Sequence, residues 1–206
     1  MHKKIKLTSK RNYVFRIVDH EGTYILKKFE NHEDYIREKE ILGVLKKAGV
    51  KVPSIIKAGD NCLYLEDLGE VSFLDWYEEQ EKNNTLDLSM VYGLLSWFKD
   101  FYPAVFQFYN EQIIRYDINF KNFIIFEGKI YGIDFEQVRP GHIEEDAGRL
   151  TAFGLTYDPP MTGWKNSFRN IFINILSEKF NIDKGRIIEE EKKELKSIEK
   201  RRGKQY

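Results

Sequence analysis

Two short apolar runs, Phe-Ile-Ile-Phe at 123–126 and Ile-Tyr-Gly-Ile at 130–133, flank Glu127-Gly128-Lys129 and constrain the fold more than any other stretch. Runs of this length joined by a glycine-containing turn read as a β-hairpin. A two-residue turn at Glu127-Gly128 pairs Phe126 with Lys129, and counting outward sets Asn122 opposite Ile133, next to Asp134. The hairpin thus brings a carboxamide and a carboxylate to one end, with Asp117 a few residues upstream. Oxygen donors gathered in this way suit Mg²⁺ and phosphoryl-transfer chemistry.

Upstream, residues 3–29 read as three strands, with a turn at His20-Glu21-Gly22. Strand alternation puts Ile25, Lys27 and Phe29 on one face and Tyr24, Leu26 and Lys28 on the other, so one lysine faces inward or into a cleft. Asn31 caps a helix whose first turn carries Glu33 and Asp34. Tyr35, Ile41, Leu42, Leu45 and Ala48 form its apolar stripe, which Glu38 shares, and Gly49 with Pro53 ends it. An acid on an apolar stripe wants a partner, and Lys27 is available. Residues 50–68 read as strand, turn at 59–61, strand, and then a linker, Glu66-Asp67-Leu68-Gly69.

The rest is mainly helical. Helices are expected over 73–81, 88–101, 145–157 and 164–180, with a turn at Arg139-Pro140-Gly141. The aromatics of the second helix, with Phe106, Phe108 and Tyr109, are expected in the core. Charges dominate 189–202, which reads as a solvated, fraying helix. The single cysteine, Cys62, excludes an internal disulfide, and its neighbours Leu63 and Leu65 predict a buried thiol. Lys+Arg and Asp+Glu number 33 each, so no net charge points to nucleic acid or a membrane surface. The basic run of Lys3, Lys4, Lys6, Lys10, Arg11 and Arg16 reads as a solvated strand face or a neighbour of phosphates. No leader-like apolar segment opens the chain, and no run approaches the ~18 apolar residues of a membrane span. The expectation is a soluble, cytoplasmic protein.

In order, the chain offers a strand lysine, a helix glutamate, a linker, Asp117-x-x-x-x-Asn122, and a hairpin ending in Ile133-Asp-Phe-Glu136. In this it resembles the protein-kinase-like phosphotransferase superfamily. It is nearer the aminoglycoside and choline phosphotransferases and the compact lipopolysaccharide-core and RIO-like kinases than ordinary protein kinases. Tyr24-Ile-Leu-Lys27, the Arg37-Glu38-Lys39-Glu40-Ile-Leu string and Val50-Lys-Val-Pro53 are similar to motifs of the aminoglycoside branch, and Ile133-Asp-Phe-Glu136 to the choline-kinase form of Asp-Phe-Gly. The resemblance covers about residues 5–155.

The resemblance implies an α+β, two-lobed fold, with residues 1–68 as a nucleotide-binding N-lobe and 69–206 as a helical C-lobe. It implies ATP and Mg²⁺ as cofactors. Lys27, held by Glu38, would meet the α- and β-phosphates, and Asn122 and Asp134 would hold the metal. Asp117 would take the acceptor proton, and Lys121 would reach the transferred phosphoryl group. Ile25 and residues Glu66, Asp67 and Leu68 would contact adenine, and Asp146 would brace the catalytic loop. Arg115-Tyr116 stand where the family has His followed by Gly or Arg. Residues 8–12 carry no glycine, which leaves Ser9 or Asn12 as phosphate donors there. No Ala-Pro-Glu string follows Asp134, so the expected acceptor is a hydroxyl of a small or glycan-like molecule. A minimal protein kinase and a nucleotide-binding pseudokinase remain the alternatives.

Overall fold

The computed structural model describes residues 3–9, 11–20 and 22–203, so Lys10 of the basic run and Glu21 of the expected turn lie outside the described residues. Among the described residues the chain is α+β: a five-stranded antiparallel sheet, two two-stranded pairings and six α-helices. The sheet runs β1-β2-β3-β5-β4, from β1 (Lys3–Leu7), β2 (Tyr13–Val18), β3 (Thr23–Lys28), β4 (Ile55–Gly59) and β5 (Cys62–Glu66). β3 is central, and its register sets Lys27 opposite Val14 of β2 and Leu63 of β5.

α1 (His32–Lys47) begins at Asn31, whose side chain accepts from Glu33 N–H, and lays Tyr35, Glu38, Ile41, Leu42 and Leu45 inward. Ala48 is its exposed C-cap rather than part of the stripe. Residues 50–54 are not strand, as expected from sequence, but irregular. Lys51 O accepts from Gly132 N–H (3.0 Å) and Trp97 Nε1–H (2.7 Å), so this segment is tied to the hairpin and the helical half instead of the sheet. Strand alternation also corrects the cysteine: Leu63 and Leu65 face the core, which turns Cys62 to the other face, half-buried.

α2 (Phe73–Lys82) starts in a capping box at Ser72 and Asp75. α3 (Leu88–Tyr109) continues past residue 101, through Pro103. Pro103 and Lys99, whose carbonyl loses its partner, are both exposed, so the missing bond falls on the solvent side. Val91, Leu94, Leu95, Trp97, Phe98, Phe101 and Val105 carry the core along α3, whereas Phe106 (54% exposed) and Phe108 (51%) lie off that stripe, contrary to the expectation that they are core.

β6 (Ile113–Ile114) pairs with β9 (Arg139–Pro140), so 139–141 is a short strand pairing and not a turn. Between them β7 (Phe123–Phe126) and β8 (Lys129–Gly132) form the hairpin in the register counted from sequence, Phe126 opposite Lys129. Its turn places Glu127 and Gly128 both at positive φ, which glycine tolerates without cost. α4 (Ile143–Thr156) and α5 (Gly163–Phe180) follow.

The charged tail is the largest departure. Residues Lys184–Arg202 form α6, which packs along α4 and is not a solvated, fraying helix. Ile187, Glu191, Glu194 and Ile198 make a buried stripe. Arg169 grips Glu191 (Nη2–Oε1 2.6 Å, Nε–Oε2 2.9 Å), while Arg201 and Arg149 meet Glu194 at 2.6 and 3.8 Å. The approach depends on Gly148, where a Cβ would sit 2.6 Å from Glu191 N. Gly148→Val is therefore expected to cost ~1–3 kcal/mol by overpacking and to expose α6 to protease. Urea melts and tail-specific cleavage check this, and unchanged stability with a protected tail would contradict it.

Candidate functional site

The site begins with a brace. β6 delivers Arg115, Tyr116 and Asp117 over the N-terminal turn of α4, where Asp146 is fully buried. One Asp146 oxygen accepts from Arg115 N–H (2.8 Å) and Tyr102 OH (3.1 Å), the other from Tyr116 N–H (3.0 Å). Burial raises the Asp146 pKa, and those N–H donors and Arg115 pull against it. The role expected for Asp146 matches this geometry. Asp117 N–H closes back on Arg115 O (2.7 Å), making a tight turn centred on Tyr116 at φ 60°. A tyrosine rarely adopts that conformation unless held. Here Arg139 and Arg149 lie over its ring at 4.2 and 4.0 Å. Through its ion pair to Glu194, Arg149 links the tail helix to the turn at Tyr116.

Arg115, where a histidine was the family expectation, is a second brace. Its buried guanidinium donates to Asp134 O (3.1 Å), Ile133 O and Asn122 O (3.5 Å), and it stacks on Phe135, Phe123 and Trp97. One side chain thereby ties the loop to both strands at the open end of the hairpin. Ile133 N–H donates to Asn122 O (3.0 Å), extending the hairpin by the residue counted from sequence. Asn122 Nδ2 donates to Asp117 O (2.9 Å), which leaves its carbonyl oxygen for a cation. Asp134 sits at φ 65°, with its side chain 42% exposed. Lys121 is exposed on the short 3₁₀ turn capped by Asn119.

Lys27, buried on β3, joins the two halves of the site. Its Nζ lies 2.6 Å from Glu38, 2.7 Å from Asp134 and 3.1 Å from Glu136. Burial works against its charge, but the three carboxylates raise its pKa above the ordinary lysine value. Burial likewise opposes ionisation of Asp134, yet Lys27, Arg115 and Arg11 hold it below the usual carboxylate range. Burial pushes Glu38 up to about 7, against the pull of Lys27. Lys27 thus contacts three carboxylates whose oxygens lie within 4.8 Å of one another, with Arg11 also reaching Glu136. These oxygen donors, with Asn122 beside them, could hold a Mg²⁺ that takes one or two carboxylates and completes its shell with phosphate and water.

Glu38 also carries a pH signature. Its pKa is about 7 when folded against 4.5 for an unperturbed glutamate, so its protonated form adds stability in full below about 4.5 and loses it as pH rises through about 7. Relative to Glu38→Gln, the wild type is expected to lose up to ~3 kcal/mol between pH ~5 and ~7.5. Urea midpoints of both proteins at the two pH values test this. A pH-independent difference would contradict it.

The partners of three site residues, Glu136, Arg11 and Arg16, escaped the sequence reading, which had the two arginines in a solvated strand face or near phosphates. Glu136, quoted only as the end of a motif, is 4% exposed and bonds Asn12 Nδ2. Asn12 Oδ1 in turn accepts from Glu30 N–H (3.3 Å), so this side chain, expected as a phosphate donor, is committed within the protein. Ser9 Oγ accepts from Asn12 N–H (3.3 Å). Arg11 reaches Asp117 (3.4 Å) and Glu136 (3.6 Å), and Arg16 is buried against Asp67 (2.7 Å) and Glu70. At the expected adenine edge, Ile25 is half-buried and Leu68 buried. Glu66 N–H is spent on Ser54 O (2.9 Å).

No protein-family model matches the chain, and no curated protein matches it either. Among the described residues, no helix is long and apolar enough to cross a membrane.

Proposed function

We propose that the chain is an ATP- and Mg²⁺-dependent phosphotransferase with a two-lobed, kinase-like arrangement, acting on a hydroxyl of a small molecule or glycan-like acceptor. The observation that carries this reading is Lys27, held between Glu38 of α1 and Asp134 of the hairpin, with Asp117 and Asn122 on the adjoining braced loop. Lys27 supplies a fixed positive charge for the α- and β-phosphates. Asn122 and Asp134 would hold Mg²⁺, which when bound neutralises charge on the phosphate oxygens. Asp117 accepts the acceptor proton as the acceptor oxygen bonds to the γ-phosphorus and the bond from that phosphorus to the β–γ bridging oxygen breaks, its electron pair leaving with ADP. Exposed on the same loop, Lys121 is a cation available to the transferring group.

A small acceptor is favoured because residues 135–142 are all that separate Asp134 from α4, and 139–140 of these are taken up by β9. That leaves no segment for a peptide platform. Incubation with γ-labelled ATP and Mg²⁺ against separate pools of sugars, amino alcohols and proteins tests the reading. Label is expected in a small-molecule pool. Label confined to protein would overturn the acceptor class, and no label with no ADP formed would overturn the activity.

A further inference from the structure

We infer that Arg11 is a further catalytic residue of this site, a guanidinium that meets the phosphoryl group in flight; the inference rests on the phosphotransfer reading above. Arg11 lies in the β1–β2 connection, yet its Nη1 is 3.4 Å from Asp117 Oδ2 and 3.6 Å from Glu136 Oε1. An acceptor hydroxyl in position lies ~2.6–3.2 Å from the carboxylate that takes its proton. The phosphorus it attacks lies ~3–3.5 Å further on. A guanidinium touching Asp117 is therefore already within side-chain reach of the transferring phosphoryl.

Two features fit Arg11 for that exchange. Its contacts are long for charge-assisted bonds, which run ~2.7–2.9 Å, and its side chain is 48% exposed, so the pairing with Asp117 is weak and replaceable. Its backbone is nonetheless fixed, because the neighbouring Asn12 is clamped by Glu136 and by Glu30 N–H. A glycine-rich loop would cover phosphates with backbone N–H groups; residues 8–12 have no glycine, and Arg11 provides a planar fork of N–H donors in their place. Charge in the transfer spreads over the three equatorial oxygens of the phosphoryl group, and a guanidinium stabilises it there. Leaving Asp117 for the phosphoryl also frees that carboxylate to receive the proton. The balance is that of the transfer itself: the acceptor oxygen gains phosphorus, ADP departs with the bridging electron pair, and Asp117 gains the proton. Arg11 remains charged throughout.

The test uses Mg·ATP with water as the acceptor, so it does not wait for the natural one. ADP release and Mg·ATP-dependent thermal stabilisation are measured for wild type, Arg11→Ala and Arg11→Lys, with and without added guanidinium ion. Arg11→Ala is expected to lose ~10²–10³-fold in kcat while keeping its nucleotide stabilisation. Arg11→Lys should recover part of the loss, and guanidinium should partly restore Arg11→Ala without affecting wild type. An Arg11→Ala enzyme with wild-type kcat, or one that guanidinium does not restore, overturns the role of Arg11 and leaves the phosphotransfer reading in place. A wild type that neither binds Mg·ATP nor forms ADP overturns both.

Discussion

Asp117→Asn is expected to reduce kcat by ~10²–10⁴-fold, the range for loss of a positioned general base, while leaving the fold and nucleotide binding intact. The separation follows from how Asp117 is held. Its backbone N–H and C=O serve the loop, bonding Arg115 O and Asn122 Nδ2, whereas its side chain is 41% exposed and ion-paired to Arg11. Asparagine keeps the shape and the backbone bonds and removes the basicity. Stability should change by no more than ~0.5 kcal/mol, as for an exposed position, and Mg·ATP should raise the melting temperature of the variant as it does the wild type. Steady-state turnover with parallel thermal melts measures both. A variant with wild-type kcat would remove Asp117 from the chemistry.

Arg115→Met is expected to produce the largest loss of stability. Methionine fills much of the aromatic slot formed by Phe135, Phe123 and Trp97, so little of the effect comes from a cavity. What is lost is the donor set. Asn122 O retains Ile133 N–H, but Ile133 O and Asp134 O lose the guanidinium. At up to ~1–3 kcal/mol for each of these two part-buried carbonyls left unpaired, the cost is at most ~2–6 kcal/mol, or a fall of up to roughly 4–24 °C in Tm for a chain of this size. Since the same bonds hold Asp134 in its left-handed conformation, nucleotide binding should weaken in parallel. Calorimetric melts and a nucleotide titration of the variant check the two effects. A Tm within ~2 °C of wild type would show that the loop is braced by Asp146 alone.

The hairpin was legible because its register follows from turn length and strand alternation, both local. The Lys27–Glu38 pair was legible because an acid on an apolar stripe and an inward lysine each need a partner, and the two lie close in sequence. Glu136, Arg11 and Arg16 were not, since their partners lie 124, 106 and 51 residues away at the bonds Asn12–Glu136, Arg11–Asp117 and Arg16–Asp67. From sequence the two arginines read as part of a solvated strand face or as neighbours of phosphates, and Glu136 only as the end of a motif. The tail failed for a related reason: Glu191 and Glu194 read as water-facing until Arg169, Arg201 and Arg149 are known to reach them. Arg115 likewise looked like a departure from the family pattern, because only the folded hairpin presents the carbonyls it satisfies.

The central claim is that Lys27, Asp134 and Asn122 form a Mg·nucleotide site. Isothermal titration of ATP into the wild type and into Asp134→Asn, with and without Mg²⁺, tests it most directly. The site described here predicts ATP binding that Mg²⁺ tightens in the wild type, with that metal dependence lost in Asp134→Asn. Absence of binding in the presence of Mg²⁺, or equal metal dependence in both proteins, would contradict it.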